Sequence, residues 1–416
     1  MSTTLPPRRS RSETNGETRE ERQTPAAMAG TPSGSPAKSS PLKAATDSAS
    51  AAAPSALSAD IVREIYLTRP DGLPCFYDGK EPKADAQSRT GALRSAVAEL
   101  QSTDPENERS IRKLFKRASR RDGKPTTEKH GTPKPAAAYH SEADQLSILR
   151  TDWSDRGVQV AVDWSSPAMR VEMFVGSEPI FAGRMAPRVR ASGSSCEPIG
   201  SWEEICWESN VDVDYLELEI DLTGDVRLQR QIVLTRRDGV LFIADALLSQ
   251  APTKLACELA FPFAKTGDFT PAEETREASV RIGKQRLLLL PLGLGEWRTE
   301  SCLGDLTVDG GDVVLRQQAA SADALYVPLA IVYDRKRAKR DCTWRRLTVG
   351  ENLRLVQPSE ACGYRWQLGD EHWLAYRSLT EQRANRTILG INLQTNFLLT
   401  RFTTEGESEP LVEIDG

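Results

Sequence analysis

From Gln145 to Gly416 the chain reads as short runs with apolar residues at every second position, each run closed by Gly, Asp, Asn or Pro. "VQVAVDW", "YLELEIDL", "RQIVLTRR", "LYVPLAIVY" and "NFLLTRFTT" are examples. A period of two puts neighbouring side chains on opposite faces of a strand, so these runs predict half-buried antiparallel strands, not helices. About fifteen such runs are present, too many for one immunoglobulin-like unit. No long helical pattern separates them. The fold class predicted is mainly β: a large antiparallel two-layer β-sandwich, supersandwich-like, around one continuous core.

The stretch "RQIVLTRRDGVLFIADAL", Arg230–Leu247, predicts a strand pair joined at Asp238-Gly239, where glycine supplies the positive φ that a tight turn requires. Apolar residues occupy both parities of each run, which places the pair centrally with both faces partly covered. The preceding "DYLELEIDL" alternates cleanly. It sets Tyr215, Glu217, Glu219 and Asp221 on one face, which predicts a solvated face there.

Ahead of the sandwich the pattern changes. Residues 1–58 are rich in Pro, Ser and Ala and lack apolar residues to offset chain entropy, so a disordered tail is predicted. Residues 59–122 predict a short helical segment. Within it Ile111, Leu114, Phe115 and Ala118 form an apolar stripe among seven arginines and lysines between Arg109 and Arg121, a basic amphipathic helix or a solvated docking helix. Residues 70–82, "PDGLPCFYDGKEP", predict a surface path, and residues 123–144 a linker. The sandwich is assigned to 145–416.

Composition adds little that is specific. A net charge of −5 points to neither a nucleic-acid nor a membrane partner, and no specific nucleic-acid motif is present. Only 39% of residues are hydrophobic and the mean hydropathy is −0.46, which agrees with part of the chain being unfolded. The seven cysteines form no C-x-x-C pair, and an odd number without a secretion signal predicts reduced thiols in a cytoplasmic protein. No apolar run is long enough to span a membrane. No cofactor or metal is expected. The oligomeric state is left open.

A family resemblance arises from three consecutive elements. These are "LSILRTDWSDRGVQVAVDW", then "VEMFVGSEPIFAG", then "DYLELEIDLTGDVRLQRQIVLTRRDGVLFIADALLS". Their succession resembles the β-sandwich domain of heparinase II/III-like proteins, which are related to polysaccharide lyases. An Arg-x-x-Trp element is followed by an apolar strand, then by an arginine-rich strand turning into a "φφφ-x-D" strand at Leu241–Asp245. The resemblance implies an anionic polysaccharide as partner. Lyases of that family pair the sandwich with an α/α toroid that supplies Tyr and His groups. Here too few residues precede the sandwich for a toroid, and Asp163–Phe174, where the family carries histidines, has none. The implied relative is the stand-alone bacterial form.

Candidate chemistry outside that resemblance is sparse. His130 and His140 fall in the expected linker, and His372 stands on a strand beside Trp373. Glu203 with Glu204, and Asp212 with Asp214, are carboxylate pairs of the kind glycosidases use, or solvated strand edges. The ligand-binding candidates are Arg335, Lys336, Arg337, Lys339 and Arg340 in "RKRAKR", with Trp344, Arg345 and Arg346 just after. Guanidinium groups grip sulfate, phosphate or uronate bidentately, while a charged hairpin loop serves solubility alone. Trp153, Trp164, Trp202, Trp207, Trp344, Trp366 and Trp373 lie in or beside strands as core or as sugar-stacking rings. Three readings remain: a non-catalytic sandwich binding an anionic carbohydrate or another polyanion, an intracellular interaction scaffold, and a polysaccharide lyase.

Overall fold

The computed structural model describes residues 63–64, 66–71, 73–77, 137–154, 156–265, 267–380 and 384–415. The predicted tail (1–58), the basic helix and most of the linker lie outside the described residues, as does His130. Among the described residues, 25 strands pair antiparallel in four sheets. A first sheet of five strands runs in chain order from Tyr139–Ser141 to Glu178–Met185. The central sheet has eleven strands, with Val213–Leu222, Val226–Thr235, Val240–Pro262 and Asp312–Val332 side by side. A third sheet of five strands opens with Cys342–Leu347 and closes with Ser408–Ile414. Two short hairpins between Gly350 and Leu393 make a four-stranded fourth sheet.

The expectation of a large antiparallel sandwich is met, and the stack goes further than two layers. One core lies between the first and central sheets, with Val160, Val162 and Met173 against Leu218, Ile232, Ile243 and Leu329. On the opposite face of the central sheet a second core joins Tyr215, Val233, Phe242 and Tyr326 to Trp344, Trp366, Trp373 and Phe397 of the third sheet. A smaller third core joins Leu374, Tyr376 and Leu398 to Val349, Ile388 and Leu393. The central sheet is therefore covered on both faces, as the double-parity apolar pattern of Arg230–Leu247 requires.

The strand pair forms in the register that puts Arg230 opposite Asp245, Ile232 opposite Ile243 and Leu234 opposite Leu241. At the turn Gly239 has φ +72°, and a Cβ there would lie 2.5 Å from the Asp334 Cβ, so glycine is needed for both conformation and space. Arg230 and Asp245, each 1% exposed, form a two-pronged ion pair at 2.7 and 2.8 Å inside the first core. The third guanidinium nitrogen of Arg230 donates to the Met185 carbonyl at 3.2 Å, and the group lies 5.4 Å from the Trp202 ring centroid. Burial alone would lower the Arg230 pKa; the Asp245 carboxylate more than offsets it.

Two expectations are corrected. The polar face of "DYLELEIDL" is not solvated over its first half: Tyr215 and Glu217 are buried, and only Asp221 is exposed. The third sheet covers it. Arg377 donates to Glu217 (2.5 and 3.2 Å) and to Gln229, while Gln231 bridges the Tyr215 and Tyr326 hydroxyls. The expected linker also contains sandwich, since Tyr139–Ser141 pairs with Leu146–Ile148 as the edge of the first sheet. Farther back, Leu67, Cys75 and Phe76 pack over Leu146, Ile148 and Ala161, and the Phe76 amide donates to Glu172 at 2.8 Å. The described part of residues 70–82 thus runs over the sandwich surface, as expected.

Candidate functional site

The basic run is a sheet-to-sheet crossing, not a hairpin loop. It links Asp312–Val332 of the central sheet to Cys342–Leu347 of the third, with a 3-10 turn at Arg337–Lys339. Asp334 Oδ1 starts the turn by accepting from the amides of Lys336 (3.0 Å) and Arg337 (2.9 Å). Arg337 is committed to Glu371 at 2.8 and 2.7 Å and to the Arg237 carbonyl at 2.9 Å. Arg340 shares Glu371, and the two hydrogen-bonding arginines hold that carboxyl below its usual range. Arg335, Lys336 and Lys339 are exposed.

The other three candidates divide sharply. Trp344 is core: it is 1% exposed, and its indole N–H donates to the Leu294 carbonyl at 3.0 Å, so it forms wall and offers no free polar contact. Arg345 and Arg346 are exposed on the same strand, and neither side chain makes a hydrogen bond or ion pair among the described residues. Both line a cleft of about 980 Å³ where the central and third sheets diverge. The central-sheet wall is residues 317–326, where the pairing of Val240–Pro262 with Asp312–Val332 slips register between Leu248 and Leu255.

Tyr326 and Tyr364 close the floor with ring centroids 6.2 Å apart, flanked by Trp344 and Trp366. Burial pushes both hydroxyls well up, so they stay neutral; the Arg346 charge opposes the rise at Tyr364. Trp366 Nε1 and Gln317 Oε1, in the cleft wall, have no partner among the described residues. Sequence reading missed Trp297, which lines the rim and is 46% exposed. Its signal was weak: a tryptophan off the strand pattern in the glycine-marked "GLGEWRTES". Most of the tryptophans singled out are core, with Trp164, Trp202, Trp344, Trp366 and Trp373 all fully buried.

The remaining sequence candidates do not line this cleft. Asp214, read as a glycosidase carboxylate or a solvated edge, is fully buried. It accepts from Arg236 (2.5 Å), Ser209 (2.7 Å) and the Arg150 amide (2.9 Å). Glu203 is exposed, and Asp212 is half-buried with Asn210 accepting from its amide. His140 is not in a linker: it stacks between Trp207 (4.6 Å) and Trp164 (5.8 Å). Its Nδ1 lies 2.8 Å from Ser147 Oγ and its Nε2 2.8 Å from Glu204. Ser147 is fully buried, so this Ser-His-Glu geometry presents no reachable nucleophile. His372 Nδ1 is 2.5 Å from an Arg365 nitrogen. Among the described residues no cluster of His, Cys, Asp or Glu is arranged to hold a metal, and no helix is long and apolar enough to cross a membrane.

These layers define a multi-sheet antiparallel β-sandwich, a fold that solved heparinase structures share. Among solved structures, a mutant of the heparan sulfate lyase HepC from Pedobacter heparinus superposes with a TM-score of 0.51, at 11% identity, over 77% of this chain and 52% of that one. The heparinase III-BT4657 gene product gives 0.50 at 11% identity over 79% and 52%. The likeness is one of fold, and the chain spans about half the length of the heparinases it matches, 52% in both cases. No family model matches the sequence, and no curated protein matches it.

Proposed function

We propose that this chain is a non-catalytic heparinase-like sandwich that binds anionic carbohydrate along strand Cys342–Leu347, with Arg335, Lys336 and Lys339 beside it. The observation that carries the reading is the pair Arg345 and Arg346, exposed and unpaired at the mouth of a cleft. An arginine free of internal partners keeps its bidentate fork for a carboxylate or sulfate. The lyase activity named for the solved relatives supports the ligand class. Seven free thiols support a cytoplasmic setting.

The test is titration of the full chain with acidic polysaccharides at several salt concentrations. Replacing Arg345 and Arg346 together by Ser is expected to weaken binding about tenfold or more without changing the circular dichroism spectrum. Unchanged affinity refutes the assignment. Ultraviolet absorbance from an unsaturated uronate product would refute the non-catalytic part and establish a lyase.

A further inference from the structure

The cleft has two unlike walls. On one side stands Arg346, on the same face of its strand as Trp344, while Arg345 and its cross-strand neighbour Arg365 lie on the alternate face at the edge of the cleft. On the other side the loop from Gly293 to Leu303 brings Trp297, Glu296 and Glu300. Glu296 already accepts from the Thr343 hydroxyl at 2.7 Å, so the two walls are tied together at one point.

One side chain supplies four of the contacts that hold that loop. Arg276 donates to the carbonyls of Gly295 (2.8 Å), Trp297, Arg298 (3.4 Å) and Glu300 (2.6 Å). Its own amide donates to the Glu296 carbonyl at 2.9 Å, and the Arg298 amide donates to the Glu274 carbonyl at 2.9 Å. One guanidinium thus turns four carbonyls inward and leaves the Trp297 ring outward, in a loop already ordered before any ligand arrives. A large aromatic exposed on a preordered loop contributes contact area at little further entropic cost.

We infer that the cleft is a subsite for a sugar ring bearing an acidic group, with Trp297 as its stacking platform; the inference rests on the carbohydrate-binding reading above. The walls argue for that chemistry over a plain polyanion. An acidic pyranose carries a carboxylate or sulfate on one edge, hydroxyls on the others and a C–H face. The acidic edge matches Arg346, the hydroxyls donate to Glu296 and Glu300, and the C–H face covers the indole. A polyphosphate chain offers no apolar face, and its charge is repelled by the two glutamates, a built-in selection against it. The volume, about 980 Å³, is at the upper end for small-molecule sites, roughly 300–1,000 Å³, and so admits a short oligomer.

The experiment uses the full chain with three probes at one ionic strength: oligogalacturonate, a neutral hexose oligomer of the same length, and polyphosphate of matched charge. Oligogalacturonate is expected to bind at least about tenfold more tightly than either of the others. It should also quench a component of the tryptophan emission that is missing in Trp297→Phe. Trp297→Ala should weaken binding about tenfold while Trp297→Phe, which keeps a stacking face, retains most of it. Polyphosphate affinity equal to oligogalacturonate, or affinity unchanged in Trp297→Ala, overturns the subsite and leaves general anion binding standing. Failure of every acidic polymer to bind overturns the parent reading, and the subsite with it.

Discussion

Replacing Asp245 by Asn leaves Arg230 in the first core with its charge and without its partner. Both groups are 1% exposed, so water cannot reach in to compensate. Removing one member of a buried pair costs about 3–5 kcal/mol, because the remaining charge stays desolvated. In a unit of this size each kcal/mol lowers the melting midpoint by roughly 2–4 °C, so a drop of roughly 6–20 °C is expected. The companion change Arg230→Met strands the Asp245 carboxylate, whose other close group is the Cys257 thiol at 3.8 Å. It also frees the Met185 carbonyl, which adds about 1–3 kcal/mol. The double variant Arg230→Met/Asp245→Leu removes both charges and keeps an apolar chain near Trp202. It should therefore be more stable than either single variant. Denaturant titration followed by far-ultraviolet circular dichroism, with calorimetry to check cooperativity, measures all four corners of the cycle. If Asp245→Asn costs less than about 1 kcal/mol, or the double variant costs the sum of the singles, the two groups are not a desolvated, coupled pair.

Acidification should destabilise the fold through His140. Burial between the two indoles holds its pKa below 6.5, so below that pH the unfolded chain binds more protons than the folded one. The contribution is intact above the unfolded value and is lost as pH falls through 6.5 towards the folded value; Glu142 opposes the shift. Glu204, held above its usual range by burial, acts oppositely at lower pH. Denaturant midpoints measured from pH 7.5 to 5.5 should fall more steeply in the wild type than in His140→Gln; parallel curves would rule the effect out. Gly239→Ala should cost at least about 2 kcal/mol, from the left-handed backbone and from displacing Asp334, as read by chemical denaturation. Burial pushes Cys75, Cys342 and Cys362 up to about 12 and Cys206 up to about 11. Iodoacetamide at pH 8 should label these four in the native protein about a hundredfold or more slower than free cysteine, and at full rate in denaturant. Rapid native labelling of any of them would contradict the burial.

Period-two spacing carries strand identity and facing, so the sandwich and the central position of Arg230–Leu247 were legible before any coordinates. What covers a face is not local information. Glu217 looked solvated because its partner Arg377 lies 160 residues away in the chain. Register is likewise invisible: nothing in the two strands taken singly says that Arg230 meets Asp245. Among the basic candidates, composition could not separate Arg337, spent on Glu371, from Arg346, which is free of internal partners. Trp344 and Trp297 differ only in what surrounds them. The first falls on a strand facing the central sheet, and the second on a loop that Arg276 braces.

The double-faced central sheet carries an evolutionary implication. Val213, Tyr215, Val233, Phe242 and Tyr326 face the third sheet, so any descendant that lost residues beyond about 340 would expose an aromatic and aliphatic surface. Such a truncation survives only with polar replacements at those same positions. The alternation of a homologue's central strands therefore records whether its C-terminal sheets are still in place.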